Sequence, residues 1–119
     1  MTAQAAFEHR PAPAAHPNEF DLKRIERALQ ARVRYRYVNP SVEAVAGGYR
    51  IEAPCCSRNI DPEGGIIDIA LMLYDADTRA WRLYYKNHAR AAWELANTHA
   101  RLHDLLTQVN EDPDRQFWQ

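Results

Sequence analysis

Two adjacent cysteines, Cys55 and Cys56, are the residues of this chain best suited to bind a soft metal or to act as a redox pair. His99 and His103 lie four positions apart, and on one helix they would share a face about one turn apart. Two thiolates and two imidazoles complete a tetrahedral zinc site. However, adjacent cysteines point apart in an extended backbone and lack the usual gap between zinc ligands. We therefore expect structural thiols and surface histidines and no cofactor, with a zinc or thiol redox site as the alternative.

A run of alternating basic and aromatic residues offers a second chemistry. It comprises Arg32, Arg34, Tyr35, Arg36 and Tyr37. Such a pattern suits single-stranded nucleic acid, because bases stack on rings and guanidinium groups pair with phosphates. The ordinary interpretation is a strand with arginines on one face and half-buried tyrosines on the other, or the last turn of a helix followed by an extended segment. The net charge of −1 favours this interpretation.

Acidic residues cluster in the segment 57–68. Asp61, Glu63 and Asp68 are the types that perform acid/base catalysis or bind a hard cation. The sequence has no metal-loop motif, phosphate-binding loop or nucleophile elbow around them. We therefore expect a polar loop and a protein that is not an enzyme.

The chain carries more large apolar side chains than a small domain needs to expose. The residues in question are Phe7, Met72, Tyr74, Tyr84, Phe117 and Trp118. Exposed patches of this kind usually mark contacts with another protein. The sequence thus predicts a partner-binding surface that combines the outer face of a sheet with the N-terminal arm. Alternatively, the arm and the aromatic tail cover that face within the monomer.

The sheet is organised around residues 66–85, which have the pattern of a β-hairpin with a polar turn. On the first strand, Ile67, Ile69, Leu71 and Leu73 are predicted to face the core, and Met72 and Tyr74 the outside. On the second strand, Trp81, Leu83 and Tyr85 are predicted to face inward, with Tyr84 outward. Residues 42–46, 49–53 and 92–95 have the composition of further strands, the last with Trp93 and Leu95 inward.

A helix is predicted on each side of this meander. The first begins with Asn18 as its cap and Asp21 as the partner in a capping box. Its apolar stripe is Leu22, Ile25, Leu29 and Val33, and it should end before Asn39 and Pro40, because the residue before a proline avoids the helical region. The second is capped by Asn97 or Thr98, carries Leu102, Leu105, Leu106 and Val109, and ends at Pro113. We expect the aromatic tail after it to fold back onto the domain.

The 119 residues predict one α+β domain. Residues 1–17 are rich in Ala and Pro and are predicted to be a flexible arm, and residues 18–119 the domain. The predicted architecture is an N-terminal helix, an antiparallel meander of about four strands, and a C-terminal helix packed on one sheet face. The sequence shows no secretory signal and no apolar run long enough to span a membrane, so we expect a cytoplasmic protein with no membrane partner.

The hairpin motif IALMLYDADTRAWRLYY, a second tryptophan at Trp93, and a leucine-rich helix that ends in EDPDRQFW resemble a known family. It is a family of small bacterial proteins catalogued only as a domain of unknown function, number three thousand and twenty-four in its series. The resemblance covers most of residues 20–118 and is weakest between residues 33 and 65. It implies a fold and no activity, so it assigns no catalytic or binding residue.

We therefore expect a small accessory protein that binds another protein, or a second copy of itself. The first alternative is a single-stranded nucleic-acid-binding module that uses residues 32–37. The second alternative is a protein with a Cys/His metal site or a thiol redox pair.

Overall fold

The computed structural model describes residues 15–54 and 64–119, which form an α+β domain. Its elements are α1 (Glu19–Ala28), β1 (Ser41–Val45), β2 (Gly48–Pro54), β3 (Ile66–Asp75), β4 (Ala80–Asn87), β5 (Ala92–His99) and α2 (Leu102–Glu111). The five strands form one antiparallel sheet in which strand order follows chain order. The predicted order of helix, meander and helix is confirmed, with five strands instead of about four. Within residues 15–54 and 64–119, neither helix is long and apolar enough to cross a membrane.

Helix α1 begins as predicted and ends earlier than predicted. The Asp21 amide donates to the side chain of Asn18 at 2.8 Å, and the Asn18 side-chain amide donates to the Asp21 carboxylate at 2.9 Å. After Ala28 the chain makes one 3-10 turn, Leu29–Ala31, and the helix ends. Val33 is 63 % exposed, so the predicted apolar stripe stops at Leu29. The amide of Val33 donates to the carbonyl of Asn110 at 2.9 Å, and this tertiary contact replaces continuation of the helix.

Both helices pack on the same face of the sheet and form one core with it. The helices supply Ile25, Leu29, Leu102, Leu105, Leu106 and Val109, and the sheet supplies Tyr49, Ile51, Ala53, Ile69, Ala70, Met72, Trp81 and Leu83. All of these side chains are buried. The side of the sheet that points away from α1 and α2 is called the open face below.

The strand β3 changes which residues face the core at a β-bulge. Ile51 pairs with Ala70 whereas Glu52 pairs with Asp68, so Ile69 is an extra residue in the ladder. Beyond it, Ala70 and Met72 point toward the helices, because a shift of one residue exchanges the two faces. The predicted orientation of this part of the strand is therefore wrong. Met72 is fully buried in the core instead of lying outside.

The remaining side chains of β3 follow the same shift. Tyr74 lies on the core face opposite Trp81, so its predicted position on the outer face is wrong. Leu71 and Leu73, predicted to face the core, lie on the open face. Tyr84 pairs with Leu71 and lies on the open face, where it was predicted.

The strand β5 also differs from its prediction. A second register shift, between Leu83 and Tyr84, places Leu95 opposite Tyr84 and Trp93 opposite Lys86. Both side chains lie on the open face, and Leu95 is 55 % exposed, so their predicted inward orientation is wrong. The strand also continues to His99, since residues 97–99 pair with β4.

The aromatic tail folds back onto the domain, as expected. Asp112 ends α2 in the left-handed conformation, with φ of 39°. The chain then turns so that Phe117 and Trp118 enter the core, each 1 % exposed. The prediction that these two aromatics form a partner-binding surface is therefore wrong, because both are already covered within the monomer.

Candidate interaction face

The open face consists of rows of side chains that cross all or part of the sheet. The central row contains Glu43, Arg50, Leu71, Tyr84 and Leu95, each paired with the next on the neighbouring strand. Directly paired residues in an antiparallel sheet point to the same side, so this row spans the full width of the face. It is charged at the β1 end and apolar at the β5 end.

Apolar side chains concentrate on the β3, β4 and β5 part of this face. We call the set Leu71, Leu73, Tyr84, Trp93 and Leu95 the apolar patch. Its members are half-buried or exposed, and none belongs to the core cluster under the helices. Open sheet faces are usually polar, so an apolar patch of this kind is typical of a surface that contacts another molecule.

An ion-pair network with members on β1, β2, β3 and β4 borders the apolar patch. The Arg50 guanidinium lies 2.8 Å from the Glu43 carboxylate and 3.3 Å from that of Glu52. The Asp68 carboxylate lies 3.0 Å from the Lys86 ammonium, which also stands 4.9 Å from the ring centre of Trp93. These contacts hold the charged side chains against the sheet and leave the apolar patch beside them.

The predicted nucleic-acid run does not form a strand, and Arg32 points into the protein. The guanidinium of Arg32 donates to the carbonyls of Leu29, at 2.8 Å, and Tyr35, at 2.9 Å, and also to that of Val38. The guanidinium carbon of Arg32 lies 5.3 Å from the ring centre of Trp118, and the side chain is buried. Burial, followed by the charge of Arg36, lowers the pKa of this guanidinium. Arg32 therefore cannot serve as the predicted phosphate ligand.

The other members of the run are dispersed. The Nε of Arg34 donates to the carbonyl of Asp112 at 3.3 Å, and the hydroxyl of Tyr35 donates to the carbonyl of Gln119 at 3.0 Å. Arg36 and Tyr37 are exposed. Tyr35 adopts a φ of 52°, which ends any regular alternation of side chains. The run is thus part of the loop between α1 and β1 and contacts the tail, and two of its five residues, Arg36 and Tyr37, are exposed.

The predicted zinc ligands are not brought together on a helix. His99 is the last residue of β5 and lies 2.6 Å from the Gln108 side chain, whereas His103 is exposed on α2. The helix starts at Leu102 because residues 97–99 complete the ladder with β4. Cys55, Cys56 and Phe7 lie outside the described residues. Within the ranges 15–54 and 64–119, no group of three or more His, Cys, Asp or Glu residues is arranged to hold a metal ion.

A histidine that the sequence did not single out lies under the first turn of α1. The ring of His16 packs at 4.6 Å from Trp81 and 5.1 Å from Tyr74, and its Nδ1 lies 3.0 Å from the Tyr49 hydroxyl. Burial lowers the pKa of His16, and the carboxylate of Asp21, 3.7 Å away, opposes that shift. The residue belongs to the aromatic core at this end of the sheet. It lies on the opposite side of the sheet from the apolar patch.

The tail motif has a defined geometry. The Asp112 carboxylate accepts hydrogen bonds from the amides of Gln116, Phe117 and Trp118, and the Trp118 indole donates to the carbonyl of Val109 at 2.9 Å. A family model described as "Domain of unknown function (DUF3024)" matches residues 13–119. The chain belongs to the DUF3024 family. No curated protein and no solved structure matches it.

The match to the DUF3024 family covers every described residue, including both helices, the five strands and the tail. The resemblance identified from the hairpin and from EDPDRQFW is confirmed. In this DUF3024 chain, the motif has a structural role, since Asp112 fixes the turn and the aromatics fill the core.

Four residues of the apolar patch were not predicted to face outward. Leu71, Leu73, Trp93 and Leu95 were assigned to the core because they alternate with more polar neighbours. The available signal was that residues 69–74 are apolar or aromatic at both alternating sets of positions, which indicates a strand with two apolar faces. The register shift that decides between the faces depends on the partner strand and is not visible in a single strand.

Proposed function

We propose that this DUF3024 domain is a non-enzymatic accessory protein that binds another protein through the apolar patch on its open face. The observation that supports the proposal is the position of the patch. It lies on the face opposite both helices, and Leu95, within it, is 55 % exposed. Burial of apolar surface is the main favourable term in protein association, so this patch would gain most from being covered. We also expect the protein to act in the cytoplasm.

The charge of the surrounding face favours a protein partner over nucleic acid. The ion-pair border contains three carboxylates, from Glu43, Glu52 and Asp68, and two cations, from Arg50 and Lys86. A phosphate backbone is bound by an excess of cations, which this border lacks. An apolar centre with a mixed polar rim is the usual composition of a protein–protein interface. The expected partner surface is thus apolar at its centre and carries charges of both signs around it.

Site-specific photo-cross-linking in the native host tests the proposal. A photoreactive phenylalanine analogue would replace Tyr84 in the apolar patch, and a matched variant would carry it at Lys23, which is exposed on α1. We expect one protein to be cross-linked from position 84 and not from position 23. Adding Leu73→Lys to the position-84 variant should abolish that product, since a charge would then lie within the patch.

Each alternative result would contradict the proposal in a recognisable way. Cross-linking of nucleic acid from position 84 would assign the face to the alternative function. Cross-linking only to a second copy of the chain would assign it to self-association. Equal products from positions 84 and 23, or no product from position 84, would exclude the patch as a specific binding surface.

A further inference from the structure

The edge strand β5 lacks the features that usually keep an exposed sheet edge from pairing. Proteins protect such edges with short strands, prolines, lysines or charged side chains. The strand β5 has eight residues and contains neither proline nor lysine, and Glu94 is its one charged residue. The other edge strand, β1, has five residues and follows Pro40.

The one charged residue of β5, Glu94, does not protect the edge, because its side chain hydrogen-bonds to residues of the neighbouring strand β4. The Glu94 carboxylate accepts hydrogen bonds from the Tyr85 hydroxyl at 2.5 Å and from the Asn87 side chain at 3.0 Å. Both donors belong to β4, on the inner side of β5. The outer side of the strand is thus left with neutral side chains and backbone groups.

One part of this edge is more available than the rest. At the His99 end, the amide of Thr98 already donates to the Asn97 side chain at 2.8 Å, and Asn97 itself contacts Gln108 of α2. Within residues 15–54 and 64–119, no side chain hydrogen-bonds to the backbone of residues 92–96 in this way. Leu95 lies at its centre and is 55 % exposed.

We propose that the β5 edge pairs in antiparallel fashion with the β5 edge of a second copy of this chain, giving a two-fold dimer with a continuous ten-stranded sheet. An antiparallel pair of identical strands is self-complementary by symmetry, so every exposed backbone donor meets an acceptor of the same segment. The two Leu95 side chains lie on the same side of the joined sheet and near the axis. They cover each other there, and the two apolar patches become one surface.

This pairing can be distinguished from the binding of a different protein to the apolar patch, because it adds backbone hydrogen bonds along residues 92–96 and requires only a second copy of the chain. The experiment is sedimentation equilibrium of the full chain over a wide concentration range. Two variants are compared with it, Leu95→Lys on β5 and Ala44→Lys on β1. Both replaced residues are exposed, and circular dichroism verifies that both variants are folded. Amide hydrogen exchange of residues 92–96 is followed at low and high protein concentration.

The proposal predicts a dimer whose dissociation constant rises by about tenfold or more in Leu95→Lys, since two lysines would then face each other near the axis. Ala44→Lys should dimerise like the unchanged chain. Protection of residues 92–96 should increase with concentration. A monomer at every concentration would overturn the proposal, and so would a dimer that Leu95→Lys does not weaken.

A further variant tests whether another segment of this chain, residues 1–14, covers the β5 edge in place of a second copy. The same two measurements on a chain that lacks residues 1–14 show whether that segment covers the edge. Loss of protection on deletion would assign the edge to residues 1–14 and overturn the proposed dimer. A dimer that persists in the deleted chain, with protected β5 amides, supports it.

Discussion

The buried carboxylate of Asp112 accepts a hydrogen bond from the backbone amide of Trp118 at 2.8 Å. The amides of Gln116 and Phe117 donate to the same carboxylate. One side chain therefore fixes the turn that brings two aromatics into the core. A carboxylate that accepts several amide hydrogen bonds contributes more than a neutral acceptor would, because charge-assisted hydrogen bonds are stronger.

Asp112→Asn should lower the free energy of unfolding by about 2 kcal/mol or more, because the hydrogen bonds lose the charge and one of the two accepting oxygens becomes an NH2 group that cannot accept from a backbone amide. Asparagine tolerates the left-handed backbone at this position, so the substitution tests the loss of the carboxylate without a change in backbone conformation. Urea denaturation measures the change. The matched control, Asp114→Asn, alters an exposed carboxylate two residues away and should change stability by less than about 0.5 kcal/mol. Equal effects of the two variants would contradict this role of Asp112.

Arg32→Lys should lower the free energy of unfolding by about 2 kcal/mol. The planar guanidinium donates to three carbonyls and lies over the ring of Trp118, and an ammonium group cannot reproduce that arrangement. The control is Arg36→Lys, at an exposed position in the same turn. Denaturation of both variants provides the comparison. If Arg32→Lys is as stable as Arg36→Lys, the buried contacts of Arg32 are not stabilising.

The stability of the domain should decrease as the pH falls below about 6.5, the ordinary pKa of histidine. Burial lowers the pKa of His16 in the folded state, and likewise that of His88, so the unfolded chain binds protons that the folded chain does not. The stability contributed by the neutral rings is present above the unfolded pKa and is lost as the pH falls toward the lowered folded pKa.

His16→Gln tests the first of these two groups. It should reduce the slope of the unfolding free energy against pH between about pH 7 and pH 5, whatever its effect on stability at neutral pH. Urea denaturation at a series of pH values measures the slope. Gln30→Asn, an exposed neutral change, should leave the slope as it is in the unchanged chain. An undiminished slope in His16→Gln would show that this ring does not titrate differently in the two states.

Gly48→Ala should destabilise the domain by about 2 kcal/mol or more. A Cβ at this position would lie 1.9 Å from the carbonyl oxygen of Met72, which belongs to the central strand of the sheet and cannot move away freely. Gly47→Asn is the control, because Gly47 has a φ of 81° with open space around it, and asparagine tolerates that conformation. In thermal unfolding, the melting temperature of Gly48→Ala should be clearly lower than that of Gly47→Asn. A Gly48→Ala variant as stable as the control would mean that the strands adjust to the added methyl group.

The sequence predicts those features of the fold that depend on local patterns. The cap at Asn18, the apolar stripe of α2 and the hairpin of β3 and β4 are each encoded within a few neighbouring residues, and the structure confirms them. The return of the tail onto the domain was also predictable, because Phe117 and Trp118 follow a helix stop closely.

The orientation of the strands could not be predicted in the same way. Ile69 is an extra residue only in the pairing of β3 with β2. Which side chains of β3 face the core therefore depends on contacts between segments that are distant in sequence. Asn97 and Thr98 have the composition of a helix cap, but pairing with β4 keeps them in a strand. Arg32 resembles a surface arginine because the carbonyls that hold it converge only after the chain turns. The sequence predicted Met72 and the tail aromatics in the interaction surface, whereas the structure places Leu71, Leu73, Trp93 and Leu95 on the open face. Tyr84 belongs to both sets.

The bulge at Ile69 has a consequence for how this surface can change over evolutionary time. From Ala70 onward, one strand supplies the core with one set of side chains and the open face with the other. Substitutions at Ala70 and Met72 must preserve the volume enclosed by the helices. Substitutions at Leu71 and Leu73 change only the open face, because these side chains do not pack in the core. Relatives of this chain can therefore exchange the chemistry of that exterior without repacking the interior. A single scaffold can in this way carry exteriors of different chemistry over an unchanged interior.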